Sequence, residues 1–169
     1  ILFIEHLTDK YRSPKASDLL ARVDTFPVSL IMAQAALESS WGASRFAEQG
    51  NNLFGIWTWG EKGLVPGNRD KGKKHKIAVY HTVLDSVRAY ILTLNRLPAY
   101  RQLRSLRRKS RDPLVLADGL KRYSQRGSRY VRELQAIIRY NELMTYDHYT
   151  LAEKVPNQTM VTFRLSKLM

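Results

Sequence analysis

The stretch AQAALESSWGASRFAEQGNNLFGIW, residues 33–57, decides how the rest of the chain is understood. It begins as an alanine-rich helical segment, whose one acidic residue, Glu38, lies near the end of that segment, and it passes into a turn-rich loop. A carboxyl group there faces the negative end of the helix dipole, and Trp41 and Phe54 would shield it from water. Both effects raise a carboxyl pKa, so Glu38 is a candidate proton donor to a glycosidic oxygen. An ordinary glutamate at a helix end fits the same spacing.

Helical patterns dominate the chain on both sides of this stretch. The segments predicted as helices are residues 17–24, 27–42, 82–97, 112–124 and 128–144. Thr82 with Asp85 forms a capping-box pattern, Asp112 precedes Pro113 as an N-cap, and Ser128 is the expected cap of the last helix.

Three of these helices carry apolar residues at helical spacing. In the helix over residues 27–42 these positions and the small residues around them predict a central, buried helix, and in the other two helices they predict one apolar face. The positions are Val28, Ile31, Met32, Ala35 and Ala36 in the first, Val83, Val87, Ile91 and Leu94 in the helix over residues 82–97, and Val131, Leu134 and Ile138 in the last.

Residues 55–82 have a different composition, in which glycine, proline, lysine and aromatic residues alternate before IAVYHTV. This pattern predicts a small β-hairpin. We therefore expect a mainly α (α+β) fold in which a small β-hairpin lobe flanks a cleft. One domain is expected over residues 1–169, with a core of about 17–145 and a C-terminal tail, 146–169, that is extended from residue 149 onward.

The net charge of the 169 residues is +13, and the chain has no cysteine. The charge predicts attraction to polyanions such as nucleic acid, an anionic membrane surface or a cell wall that bears carboxylates or phosphates. Much of it lies in residues 69–76 and 101–111, which fit a solvated basic face equally well. The missing cysteines exclude disulfides, cysteine nucleophiles and thiolate zinc sites within this chain. No apolar run is long enough to span a bilayer.

Aromatic and amide side chains near the cleft are candidates for substrate binding. The residues expected to contact substrate are Trp41, Asn52, Phe54, Trp57 and Tyr130. Trp41, Trp57 and Trp59 suit stacking on sugar rings, although core packing explains a single tryptophan equally well. Trp57 and Trp59 have the same parity on a strand, so they are expected to share one face. Asn52 and Phe54 lie in the GNNLFG turn, which is either a plain connector or a loop that places Phe54 beneath the cleft floor.

Tyr123 and Tyr130 flank a turn between two predicted helices. A tyrosine hydroxyl there can orient a substrate amide or a water molecule, and a half-buried helix-end tyrosine is an equal alternative. His75 and His81 have no partner at metal-ligand spacing, so no metal site and no cofactor are predicted.

Together, residues 33–57, 63–104 and 116–143 resemble the N-acetylglucosaminidases of glycoside hydrolase family 73, and within it the Bax-type proteins of Gram-negative bacteria. The resemblance implies a lysozyme-like helical fold and an endo-β-N-acetylglucosaminidase that cleaves the β-1,4 bond between N-acetylglucosamine and N-acetylmuramic acid in peptidoglycan. It places the general acid at Glu38 and a substrate-positioning tyrosine at Tyr123, with Tyr130 as the second tyrosine of that segment.

The same resemblance implies peptidoglycan glycan strands as the partner, a periplasmic or cell-envelope location and a monomer. Electrostatic contact with the envelope surface is expected from the charge, and no specific nucleic acid is expected.

The second catalytic group is left open by the sequence. Glu61 and Asp70 are the carboxylates of the β lobe, and neither sits in the expected pattern. If neither reaches the cleft, the substrate's own N-acetyl group can act as the nucleophile. Two alternatives therefore remain: a lytic transglycosylase, which needs one glutamate, and a non-catalytic basic module that binds the wall.

Overall fold

The computed structural model describes residues 2–13, 15–67, 69 and 72–150. Over these residues the chain forms eight α-helices and one two-stranded antiparallel sheet. The helices are α1 (Leu2–Tyr11), α2 (Ala16–Leu19), α3 (Val28–Ser39), α4 (Arg45–Gly50), α5 (Val83–Arg96), α6 (Arg101–Arg107), α7 (Pro113–Ala117) and α8 (Ser128–Tyr140). The strands are β1 (Trp57–Thr58) and β2 (Lys76–Ile77), and 3-10 helices cover Pro98–Tyr100, Asp118–Leu120 and Leu143–His148. None of the described helices combines the length and apolarity that crossing a membrane requires.

Helix α3 lies at the centre and packs against α7, α8 and the last 3-10 helix. The predicted central, buried helix is confirmed by this packing, and its buried residues include Leu30, Ala33 and Gln34. Val28 and Met32 are nevertheless exposed, because apolar residues occur on every side of this helix and their periodicity does not select one face. Of the face predicted for α5, Leu94 is buried and Val83 is exposed. The predicted stripe of α8 is confirmed, since Val131, Leu134 and Ile138 are all buried.

The N-terminus of α3 is held by a carboxylate from the other end of the described chain. Asp147 accepts hydrogen bonds from the backbone N–H of Ser29 (2.8 Å) and from its hydroxyl (2.6 Å). A carboxylate at this position satisfies free N–H groups and complements the helix dipole. Residues 146–148 therefore belong to a packed 3-10 helix. Of the segment expected to be extended, Tyr149 has an extended backbone, and residues 151–169 lie outside the described residues.

The small β lobe follows α4, as the sequence predicts. In β1 and β2, Trp57 pairs with Ile77 and Thr58 pairs with Lys76. A further bridge joins Leu64 to Ile77. Of the described residues, only these pair in the sheet, so each strand is two residues long.

The predicted helix caps are mostly confirmed. The Thr82 hydroxyl accepts from the N–H of Asp85, whose carboxylate accepts from Thr82 in return. Asp112 caps α7 in front of Pro113. The exception is α8, whose N-cap is Gly127, with φ of 54°, so Ser128 is the first helical residue and not the cap.

The basic segment over residues 101–111 is partly internal. Arg104 and Arg107 are 5% and 3% exposed. Arg107 donates to Asn95 Oδ1 (2.9 Å), and its guanidinium lies 4.2 Å from the centre of the Phe26 ring. Two charges of this run therefore hold the fold together, and only the remainder belongs to a solvated face.

The contact between α6 and the 3-10 helix at Asp118–Leu120 yields a stability prediction. A Cβ added at Gly119 would lie 2.4 Å from Leu103 Cα and 2.8 Å from its backbone nitrogen. Because backbone must move to admit it, Gly119→Ala is expected to lower the free energy of unfolding by about 1–3 kcal/mol in urea denaturation. Gly67→Ala is the matched control, since no atom of the described residues, the chain neighbours of Gly67 aside, lies within 4 Å of the added Cβ. Equal stability of the two variants would contradict this packing.

Candidate active site

Glu38 lies in the last turn of α3, which ends at Ser39. The next two residues, Ser40 and Trp41, have positive φ angles of 52° and 58° and turn the chain away from the helix axis. The Ser39 hydroxyl secures this turn: it donates to the Ala35 carbonyl (2.6 Å) and accepts from the Gly42 N–H (2.7 Å). The carboxyl group of Glu38 is thereby held at a fixed point at the end of the central helix.

A cleft of about 480 Å³ opens beside Glu38, between α3, the β lobe and the end of α5. Its lining is mostly aromatic and apolar, as in many ligand sites. The lining residues are Glu38, Phe54, Gly55, Ile56, Trp57, Trp59, Thr93, Leu97, Tyr100 and Tyr123.

The pKa of Glu38 is raised above its ordinary value, and burial is the main cause. Hydrogen bonding to the Tyr130 hydroxyl and the positive charge of Arg126 lower this pKa, but they offset burial only in part. Glu38 Oε1 is buried and has no hydrogen-bond partner among the described residues. Because burial favours the neutral form, the carboxyl group can keep its proton at higher pH and donate it to an oxygen that enters the cleft.

A cluster of stacked aromatic rings forms the floor next to Glu38. The Tyr123 hydroxyl donates to the Phe54 carbonyl (2.8 Å), and the Tyr123 ring stacks on Tyr130 at 5.7 Å. Phe54 in turn stacks on Tyr90 at 3.9 Å. Burial and the nearby charge of Glu38 raise the pKa of Tyr123 well above its ordinary value, and they raise the pKa of Tyr100 to about 12. These hydroxyls therefore stay neutral, and Tyr123 keeps free lone pairs that can accept hydrogen bonds.

Gln34 is a site residue that the sequence reasoning missed. It lies one turn before Glu38 on α3, is fully buried, and donates from Nε2 to the Tyr130 hydroxyl oxygen (2.9 Å). Because that oxygen already accepts a hydrogen from Gln34, the Tyr130 hydrogen is available to Glu38. The sequence did contain a signal for it: Gln34 is a lone amide four residues before Glu38 in an alanine-rich helix, and residues four apart lie on the same helix face. Tyr100 was also missed, because it follows Pro98 outside any motif.

Asn52 shapes the loop that carries Phe54. Its Nδ2 donates to the carbonyls of Ile56 (3.0 Å) and Ala78 (2.8 Å), and its Oδ1 accepts from the N–H groups of Phe54 (3.3 Å) and Ile56 (3.1 Å). Asn52 is 1% exposed and is not among the cleft-lining residues. The structure therefore gives Asn52 a positioning role in place of the expected contact with substrate, whereas Phe54 does form part of the cleft wall.

Trp57 and Trp59 both line the cleft, as their shared parity predicts. They are 54% and 73% exposed, and their rings meet edge to face at 6.3 Å. Trp57 also stacks on His75 at 4.2 Å, which fixes its plane. Trp41, in contrast, is 61% exposed and is not among the cleft-lining residues, so the structure does not bring it to Glu38.

The two candidates for a second carboxylate have different outcomes. Glu61 is exposed and is not among the residues that line the cleft, and its backbone carbonyl accepts a hydrogen bond from the Lys76 ammonium. Asp70 lies outside the described residues. Within the described part of the chain, Glu38 is the one carboxylate in the cleft wall.

Comparisons with known proteins agree with this geometry. A family model described as glucosaminidase, mannosyl-glycoprotein endo-beta-N-acetylglucosaminidase, matches residues 13–143. Protein bax of Escherichia coli (strain K12) is 37% identical over 136 residues, which are 77% of this chain and 48% of that protein. The chain thus spans about half the length of this curated relative.

A solved structure of a glycoside hydrolase domain is also similar to this chain. The C-terminally truncated glycoside hydrolase domain of FlgJ from Salmonella typhimurium superposes with a TM-score of 0.52 at 27% identity. The match covers 84% of this chain and 97% of that domain. The predicted fold, mainly helical with a small β lobe, is confirmed. The chain belongs to the glucosaminidase family of glycoside hydrolases.

Proposed function

We propose that the chain hydrolyses peptidoglycan glycan strands at the β-1,4 bond between N-acetylglucosamine and N-acetylmuramic acid, with Glu38 as the general acid. The observation that carries this proposal is the Glu38 carboxyl group, whose pKa is raised by burial in the wall of an aromatic-lined cleft. The family description, an endo-β-N-acetylglucosaminidase, supports the choice of sugar. Action on peptidoglycan also supports a periplasmic or envelope location.

The first step is the breaking of the bond between the anomeric carbon and the glycosidic oxygen. Glu38 donates its proton to that oxygen, so the departing sugar leaves as an alcohol, and Glu38 becomes a carboxylate. The electron deficiency at the anomeric carbon is met by the substrate's own N-acetyl carbonyl oxygen, which closes a ring on the same sugar. This route needs a single protein carboxylate, in agreement with the described cleft.

Tyr123 supports this step through the direction of its hydroxyl group. Its hydrogen is given to the Phe54 carbonyl, so its oxygen can only accept. An accepting oxygen at the cleft wall suits the N–H of the N-acetyl group, whose carbonyl then points toward the anomeric carbon. In the second step, water attacks that carbon, and the bond between the carbon and the N-acetyl oxygen breaks, which restores the acetamido group. The water gives one proton to the Glu38 carboxylate, which restores the acid.

Trp57 and Trp59 are the proposed binding surface for sugar rings. Their exposed faces in the cleft suit the apolar C–H faces of pyranose rings. Because Trp57 is stacked on His75, its face is presented to the cleft in a defined orientation.

A lytic transglycosylase is the second candidate, and the lone carboxylate of the described cleft favours it equally. In that reaction a hydroxyl of the muramic acid attacks in place of water, and the product is an anhydro sugar. The two reactions use the same Glu38 proton but cleave different bonds. The hydrolase acts at the anomeric carbon of N-acetylglucosamine, and the transglycosylase acts at that of muramic acid, whose own hydroxyl closes the anhydro ring.

The proposed role of Glu38 predicts the effect of a single substitution. Glu38→Gln is expected to lower peptidoglycan digestion by about 10²–10⁴-fold, because an amide has no proton of suitable acidity to donate. The assay is digestion of purified peptidoglycan, borohydride reduction and mass spectrometry of the fragments. Glu48→Gln, on the exposed side of α4, is the matched control and is expected to retain wild-type activity.

The fragments from this assay also decide the reaction type. Reduced N-acetylglucosamine ends would support the hydrolase, and anhydromuramyl ends would assign the transglycosylase. Wild-type activity in Glu38→Gln would exclude Glu38 as the acid. Absence of fragments from both proteins, on walls of several types, would favour a non-catalytic wall-binding module.

The pH profile provides a separate prediction. Because Glu38 acts in its protonated form, kcat/KM is lost as pH rises through its raised pKa. Arg126 lowers that pKa, so Arg126→Gln is expected to move the alkaline limb of the profile to higher pH. Arg129→Gln is the matched control: Arg126 and Arg129 both pair with Glu133, but only Arg126 acts on Glu38. An unchanged or downward limb in Arg126→Gln, or the same shift in both variants, would contradict this electrostatic coupling.

A further inference from the structure

A second cavity, of about 400 Å³, lies between the residues that follow α2 and helix α6. It shares no lining residue with the cleft beside Glu38. Four arginines line it, together with Ser105 and one acid, Asp18. The four are Arg22, Arg101, Arg104 and Arg108, and we call this cavity the arginine pocket.

Two of these arginines are fixed by the C-terminal end of α5. Arg22 donates from Nη1 to the Arg96 carbonyl (2.8 Å), and Arg104 donates from Nη1 to the carbonyls of Leu94 (2.8 Å) and Leu97 (2.9 Å). The end of a helix carries only about half a negative charge. It orients two full positive charges but does not neutralise them.

The neighbouring Arg107 is a buried arginine whose charge is neutralised by a carboxylate. Arg107 is 3% exposed, and its Nε lies 3.4 Å from the carboxylate of Asp24. Arg104 is buried to a similar degree, at 5% exposed, yet no described carboxylate lies within ion-pair distance of it. The same holds for the other three arginines of the pocket, since the described ion pairs involve other residues.

The charges of the pocket also act on one another. The pKa of Arg104 is lowered to about 10, mainly by burial and in smaller part by the positive charges of Arg22, Arg107 and Arg101. Fixed positive groups that repel one another at a partly dry, concave site are relieved by an incoming anion. Asp18 supplies the only negative charge in the described lining, against four positive ones.

We propose that the arginine pocket binds a phosphate group. Guanidinium groups are planar donors that pair two nitrogens with two oxygens of one oxyanion, and phosphate offers such oxygens to several arginines at once. Free phosphate and phosphate monoesters also bring more than one negative charge near neutral pH, which a single carboxylate does not. The pocket is large enough for a phosphate ester, so the group is either free phosphate or the headgroup of an anionic phospholipid.

The test is isothermal titration calorimetry of the whole chain with inorganic phosphate at constant ionic strength. Arg101→Gln/Arg108→Gln removes the two exposed arginines of the pocket and leaves the buried Arg104 in place. This double variant is expected to bind phosphate at least about tenfold more weakly, because it lacks two charged donors. The matched control, Arg129→Gln/Arg132→Gln, removes two exposed arginines of α8 and is expected to bind as the wild type does.

Urea denaturation of each double variant, compared with the wild type, shows whether a loss of binding is caused by a loss of folded protein. Absence of phosphate binding to the wild type would overturn the proposal. An equal loss in both double variants would also overturn it, because binding would then follow net charge and not the pocket. The readout involves no glycan cleavage, so it is independent of the role proposed for Glu38.

Sedimentation with vesicles distinguishes the two sources of the phosphate group. The vesicles contain phosphatidylglycerol in phosphatidylcholine, and pure phosphatidylcholine is the reference. Loss of vesicle binding in Arg101→Gln/Arg108→Gln, but not in the α8 double variant, would support a lipid headgroup. Pocket-dependent binding of inorganic phosphate without pocket-dependent vesicle binding would support free phosphate.

Discussion

The removal of the Glu38 carboxyl group from water is the constraint that organises the site. Burial raises the pKa of this group, and the Tyr130 hydroxyl and the Arg126 guanidinium offset part of that increase. An acid catalyst depends on such a balance, because it must hold its proton near neutral pH. Its carboxylate form must also be stable enough to exist after the proton has been donated. Gln34 contributes by occupying one side of the Tyr130 oxygen, which leaves the Tyr130 hydrogen for the ionised form of Glu38.

Both ends of α3 are fixed, which places that carboxyl group with little freedom. At the N-terminus, Asp147 holds Ser29, and at the C-terminus the Ser39 hydroxyl closes the turn. The loop opposite is fixed by Asn52, whose amide makes four hydrogen bonds to backbone groups. The tyrosine cluster then fills the space between loop and helices, so the cleft floor is part of the core and not an appendage to it.

Much of this arrangement was predictable from sequence because the motif residues are local. Glu38, Phe54, Trp57 and Tyr123 were expected near the cleft and do line it. The caps at Thr82 and Asp112 were predictable for the same reason, since each involves a few consecutive residues. The roles of Glu38 and Tyr123 in catalysis remain proposals that the activity assays test.

Features that depend on tertiary contacts were not predictable in this way. The buried face of α3 is set by what packs around it, and its sequence is apolar on all sides. Arg104 and Arg107 lie in a run that resembles a solvated basic face, and only the approach of α5 and Asp24 makes them internal. The net charge of +13 therefore has several separate origins: structural arginines, a solvated surface and the arginine pocket.

The most direct test of the central claim is a titration of Glu38 itself. Carbon-13 NMR of protein labelled at the glutamate side-chain carboxyl carbon, with Glu38→Gln to assign the resonance, follows the protonation of this group against pH. We predict a midpoint above that of an ordinary glutamate. A midpoint at or below the ordinary value would show that the cleft does not keep Glu38 protonated, and it would contradict its assignment as the acid.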